Sequence, residues 1–68
     1  METVSNKVHK ARKNKGFTQE ELAERAGVTR QTIIALEKGS YVPSVRLAIK
    51  LSKVFKIRVE DLFKLKKK

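Results

Sequence analysis

The chain has 68 residues, enough for one domain around one modest hydrophobic core and too few for a second. Seventeen Lys and Arg against seven Asp and Glu give a formal charge of +10 and an isoelectric point near 10.3, a balance that attracts polyanions. The absence of cysteine excludes a disulfide framework, a thiolate metal site and a cysteine nucleophile.

The charge is unevenly placed: Met1 to Lys15 carries a net +4, Gly16 to Ser40 −1 and Tyr41 to Lys68 +7. The basic N-terminal segment leads into KNKGFTQEE rather than into an apolar run, and no stretch approaches membrane-spanning length. The expectation is a soluble, cytoplasmic protein.

Val4, Val8 and Ala11 are spaced four and three apart, as on one stripe of a helix. This predicts a first helix from about Val4 to about Asn14, with Thr3 or Ser5 as its cap and Gly16 as its end. Thr18-Gln-Glu-Glu21 is a capping-box sequence that starts a second helix, with Leu22, Ala23 and Ala26 as its apolar stripe and Gly27 at its end. Thr29 caps a third helix on which Val28, Ile33 and Leu36 point the same way, and Lys38-Gly39 closes it.

Ser40 to Ser44 reads as a loop, and Ser44 caps a fourth helix from Val45 to about Phe55 with Leu47, Ala48, Leu51, Ser52 and Phe55 inside. A fifth runs from about Val59 to Leu65, with Glu60 and Asp61 in its first turn, where the helix dipole favours acids. No strand-like alternation stands out. The fold class expected is all-α: a compact five-helix domain over residues 1–65, with 66–68 as a basic tail.

Two short helices joined by a glycine turn, the second opening with polar residues, form a helix-turn-helix over Gln19 to Lys38. In that motif one helix braces the DNA backbone and the other enters the major groove. Ala23 is small where the helices cross, and Val28, Ile33 and Leu36 lock the second onto the first. At about 100° per residue, Ile33 and Leu36 define the core side of the third helix, and Arg30, Gln31, Ile34, Ala35 and Lys38 share the opposite arc.

Arg30 suits a bidentate contact to guanine, Gln31 to adenine and Ile34 a thymine methyl, although Ile34 could instead pack on the fourth helix. Thr29 at the helix start reaches a base or phosphate as well as capping. Lys38, Ser40, Tyr41 and Ser44 surround the next loop as backbone contacts, with helix amides at Thr18 and Ser44. Tyr41 has a second reading, as a ring covering the small core.

The stretch FTQEELAERAGVTRQTIIALEKGSYVPS resembles the Cro/C1-type (Xre-family) helix-turn-helix repressors, with similarity over roughly Lys7 to Phe63. The resemblance implies a λ-repressor-like five-helix domain that binds operator DNA as a homodimer on a pseudo-palindromic site. It also implies a phosphate contact from Gln19 and a buried ion pair between Arg12 and Glu37. Dimers of the family commonly use the helix-five region, and because Val59, Leu62, Phe63 and Leu65 exceed what a thin core needs, part of this set is expected to form the two-fold interface. Lys56 departs from the family where glycine is frequent, and Arg58 where Ser, Thr or Pro often opens the last helix.

His9, the only histidine, lies off the apolar stripe without an acidic or cysteine partner in ligand spacing and reads as a surface residue. There is no Ser-His-Asp arrangement, phosphate-cradling glycine loop or carboxylate cluster with metal-loop spacing. No enzyme, cofactor, metal, membrane or small-molecule ligand is expected. The leading expectation is a sequence-specific regulator, acting as a repressor by occupying double-stranded DNA; the competing one is an antitoxin-like interaction module with autoregulatory DNA binding. The lysine run Lys66 to Lys68 reads either as a solvated tail or as added phosphate attraction.

Overall fold

Five helices, α1 (Val8–Lys15), α2 (Gln19–Ala26), α3 (Arg30–Lys38), α4 (Val45–Phe55) and α5 (Val59–Leu62), lie between strands β1 (Glu2–Asn6) and β2 (Phe63–Lys67). The computed structural model describes the backbone of residues 2–67 and the side chains of residues 4–66. Val8, Leu22, Ile33, Leu36, Leu51 and Leu62 are its largest fully buried side chains. They draw one residue or more from every helix, so the core forms only when all five assemble. α2 packs chiefly on α3, and α4 closes the core against α1, α2 and α5.

Three helix junctions share one construction. A residue in the left-handed region ends the helix, a partly buried apolar residue follows, and an extended residue opens the next helix: Gly16-Phe17-Thr18, Gly27-Val28-Thr29 and Lys56-Ile57-Arg58. In each the apolar residue's amide donates five residues back, Phe17 to the Arg12 carbonyl, Val28 to Ala23 and Ile57 to Ser52. The orphan carbonyls at the helix ends are thereby satisfied. Gly27, with φ 71°, holds α2 and α3 in the tight turn that the motif needs.

The helix starts follow local chemistry. Thr18 Oγ1 accepts from the Glu21 amide at 3.0 Å while Glu21 Oε1 accepts from the Thr18 amide at 2.8 Å, a complete capping box. Thr29 and Ser44 cap α3 and α4 through the amides of Thr32 and Leu47. Arg58 opens α5 with no side-chain cap.

Two expectations are corrected at the chain ends. The first helix begins at Val8, not Val4, and the fifth ends at Leu62, not Leu65. Residues 2–6 and 63–67 instead form a two-stranded antiparallel ribbon, pairing Val4 with Leu65 and Asn6 with Phe63, so the domain is helical with a small sheet added rather than all-α. Phe63-Lys-Leu-Lys66 does alternate apolar and cationic, as a half-buried strand does. Neither Thr3 nor Ser5 caps α1, since both lie in β1. Asn6 turns the chain there, its Oδ1 accepting from the Val8 amide at 3.0 Å and its Nδ2 donating to the Leu36 carbonyl at 2.9 Å. Lys66 and Lys67, expected in a tail, belong to β2, while Lys68 lies outside the described residues.

Candidate nucleic-acid interface

The two sides of α3 differ sharply. Ile33 and Leu36 are wholly buried, Arg30, Gln31 and Lys38 are exposed, and Ile34 and Ala35 are half-buried between these extremes. The exposed arc carries two cations and a carboxamide. Thr29 is exposed beside it, with its hydroxyl 3.0 Å from that of Thr32 and accepting the Thr32 amide.

The one acid on α3, Glu37, is withdrawn from this surface. Arg12 Nε donates to Glu37 Oε2 at 2.7 Å, and Arg12 Nη1 donates to the Phe17 carbonyl at 2.8 Å. Arg12 is 8% exposed and the Glu37 side chain 6%, so the pair ties α1, the first junction and the end of α3 together out of solvent. Burial pushes the Glu37 carboxyl up, but the hydrogen bonds from Arg12, His9 and Gln19 together outweigh it and hold the carboxyl below its usual range. α3 therefore offers cations outward and keeps its anion compensated.

Gln19, at the first position of α2, donates through Nε2 to Glu37 Oε1 at 3.2 Å. Its second amide hydrogen is left for another acceptor. His9 is a surface residue, its side chain 59% exposed, but it has partners: its Nδ1 lies 3.1 Å from Glu37 Oε1 and 3.2 Å from Arg12 Nη2.

Around the loop after α3, Ser40 Oγ donates to the Ala35 carbonyl at 3.2 Å and Tyr41 is exposed. Thr18 and Ser44 accept cap bonds, which leaves each hydroxyl hydrogen free to donate. A cavity of about 170 Å³ separates the α2–α3 turn from the start of α4, lined by Ala26, Gly27, Val28, Ser44, Arg46, Leu47 and Lys50. Arg46 and Lys50 join Ser44 there, two cations to which the sequence pattern assigned no contact. Their i, i+4 spacing after the Ser44 cap is the signal that finds them.

The helix-turn-helix family model matches residues 8–62, from the start of α1 to the end of α5. The chain belongs to the Cro/C1-type helix-turn-helix family. It is a transcriptional regulator with a helix-turn-helix DNA-binding domain. The uncharacterized regulator YgzD of Bacillus subtilis strain 168 is 52% identical over 60 residues, covering 88% of this chain and 91% of that protein. An uncharacterized regulator of Archaeoglobus fulgidus is 54% identical over 60 residues, with 88% and 86% covered. The crystal structure of the transcriptional regulator VanUg superposes with a TM-score of 0.77 at 24% identity, over 98% of this chain and 89% of that one, a likeness of fold.

In this regulator the residues assigned to a two-fold interface do not share one environment. Leu62 is fully buried in the core and unavailable to a partner, which corrects its assignment, whereas Val59 and Phe63 are half-buried and Leu65, on β2, is 68% exposed. Val42, Val45 and Ile49 are further exposed apolar residues, on the loop and outer side of α4. No helix among the described residues is long and apolar enough to cross a membrane.

Proposed function

We propose that the regulator acts as a cytoplasmic repressor, occupying a pseudo-palindromic operator as a homodimer with α3 in the major groove. The observation that carries this reading is the two-sidedness of α3: a core face of Ile33 and Leu36 with no exposure, an opposite face bearing Arg30, Gln31 and Lys38, and an acid neutralised by Arg12. Thr29, Arg30, Gln31, Ile34, Ala35 and Lys38 read bases, with about 1–3 kcal/mol of discrimination from each good bidentate pair. Thr18, Gln19, Lys38, Ser40, Tyr41 and Ser44 hold the backbone, joined by Arg46 and Lys50, and set register without reading sequence.

The exposed Leu65 on β2, with the half-buried Phe63 of the same strand and Val59 of α5, supplies the two-fold contact that spaces two copies of α3 about one DNA turn apart, roughly 34 Å. Selection of binding sites from random duplex DNA tests the whole reading. The expected result is a palindromic consensus whose half-site changes with Arg30→Ala or Gln31→Ala. No enrichment would overturn it and point to a protein-interaction module. For the dimer, a mass that stays monomeric at micromolar concentration, with and without the selected site, would remove the two-fold contact.

A further inference from the structure

Glu37 Oε1 is approached by three nitrogens: His9 Nδ1 at 3.1 Å, Gln19 Nε2 at 3.2 Å and Arg12 Nη2 at 3.3 Å. A carboxylate oxygen has two lone pairs to offer. When His9 is neutral with its proton on Nε2, its Nδ1 accepts from Arg12 Nη2, 3.2 Å away, and Oε1 is left to Gln19 and Arg12. When the imidazole is protonated, Nδ1 becomes a donor, and its one acceptor in this cluster is Oε1. Gln19 then shares that oxygen with a charged donor, and charge-assisted bonds are the stronger ones.

We infer that Glu37 orients the Gln19 amide for its phosphate contact and that His9 competes with Gln19 for the same carboxylate oxygen, so that acidification loosens the contact. The inference rests on the DNA-binding reading given above. Gln19 has the geometry for it, since one amide hydrogen is tethered to Glu37 and the other remains free. Tethering pre-pays the ordering of a flexible side chain that binding would otherwise have to supply. His9 is 59% exposed and open to solvent protons, and histidine is the side-chain type whose charge responds to mild acid, between about pH 5 and 8.

The charged groups facing His9 are Arg12 on its own helix, with Lys13 one turn on, and Glu37 on α3; Gln19 of α2 is neutral. α4 also packs on α1, but its Arg46 and Lys50 line the cavity beside Gly27 and its Lys53 lies with Lys56 and Ile57. The Glu37 carboxylate stays ionised across this window, being held below its usual range.

Two measurements on the full chain test this, using His9→Gln and Gln19→Ala because loss of Glu37 would endanger the fold. In the free protein, solvent exchange of the Gln19 side-chain amide, read against the exposed Gln31 amide at pH 5.5 and 8.0, should rise relative to Gln31 on acidification. In His9→Gln the ratio should be constant. On the selected DNA site, Gln19→Ala should weaken binding about tenfold at pH 8.0, the worth of one hydrogen bond to a charged group, and by a clearly smaller factor at pH 5.5. In the His9→Gln background the factor should be the same at both.

Taking the ratio to Gln19→Ala cancels any general attraction between a protonated His9 and DNA. A Gln19→Ala factor independent of pH in the wild-type background would overturn the inference, as would an unchanged exchange ratio. If no DNA bound at all, the exchange measurement would still decide whether the competition exists, while the DNA-binding reading itself would fall.

Discussion

The junctions Gly27-Val28-Thr29 and Lys56-Ile57-Arg58 trace nearly the same backbone with different residues. φ is 71° at Gly27 and 57° at Lys56, and both Thr29 and Arg58 are extended. The first has glycine where the left-handed region excludes a β-carbon at no cost, and a hydroxyl that caps the next helix. The second has a lysine in the left-handed region and an arginine without a cap bond. α3 continues for nine residues and α5 for four before the chain turns to strand. Junction geometry alone thus does not determine how far the next helix runs; caps and the apolar pattern beyond them do. The better-specified junction is the one that joins the two helices of the helix-turn-helix.

The largest expected effect comes from breaking the clamp on the related junction Gly16-Phe17-Thr18. Arg12→Ala removes the donor to the Phe17 carbonyl and strands the buried Glu37 carboxylate. It should cost on the order of 3–5 kcal/mol, read by chemical denaturation, with DNA binding lost through the fold. Acid acts on the same clamp. Because the folded-state carboxyl of Glu37 lies below its unfolded value of about 4.5, its contribution is present above that pH and disappears as pH falls through the folded value. Thermal melts should therefore drop below about pH 4 in the wild type, and a Glu37→Gln variant, less stable at neutrality, should lack that part of the drop.

Next in size is Gly27→Lys, which imposes on the α2–α3 turn the residue that ends α4. An added β-carbon would meet only the mobile Lys50 Nζ, at 3.3 Å, so the cost is conformational. It should be about 1–2 kcal/mol, or a fall in melting temperature of at least about 4 °C for a domain this small. A neutral result would mean that the turn glycine is replaceable and that the two junctions differ in sequence without consequence.

What the sequence made legible follows the range of the interactions. The capping box at Thr18, the single caps at Thr29 and Ser44 and the glycine ends of α2 and α3 need only neighbours three to five residues away, and α2, α3 and α4 read correctly from them. The ribbon needs Val4 to meet Leu65 across the whole domain, and no local pattern records that pairing. Four residues of alternation after α5, Phe63 to Lys66, also look like one more helical turn when helix periodicity has just been followed. The burial of Ile33 and Leu36 was readable from spacing on α3. The bond between His9 and Glu37 was not, because its partners are 28 residues apart and meet only through the packing of α1 on α3.

The smallest effects should come from giving the α4–α5 junction the residues of the other two. Lys56→Gly relieves a side chain at φ 57° but loosens the unfolded chain, and on balance should stabilise by about 0.5–1 kcal/mol. Arg58→Thr adds a cap hydroxyl, worth about 1 kcal/mol at most positions of this kind. It also removes the exposed bond from Arg58 Nε to Asp61 Oδ2 at 3.2 Å, a solvent-screened pair that contributes little, so the net gain should be smaller than the cap's own. Hydrogen exchange reads the change better than melting does, because α5 can be followed by its own amides: Asp61 and Leu62 both donate to the Arg58 carbonyl. The double variant should slow exchange at those two amides more than at the Val28 amide in the α2–α3 turn. Equal slowing at both places would mean that the cap acts on global stability alone and that the short α5 is limited by the onset of the ribbon, not by its missing cap.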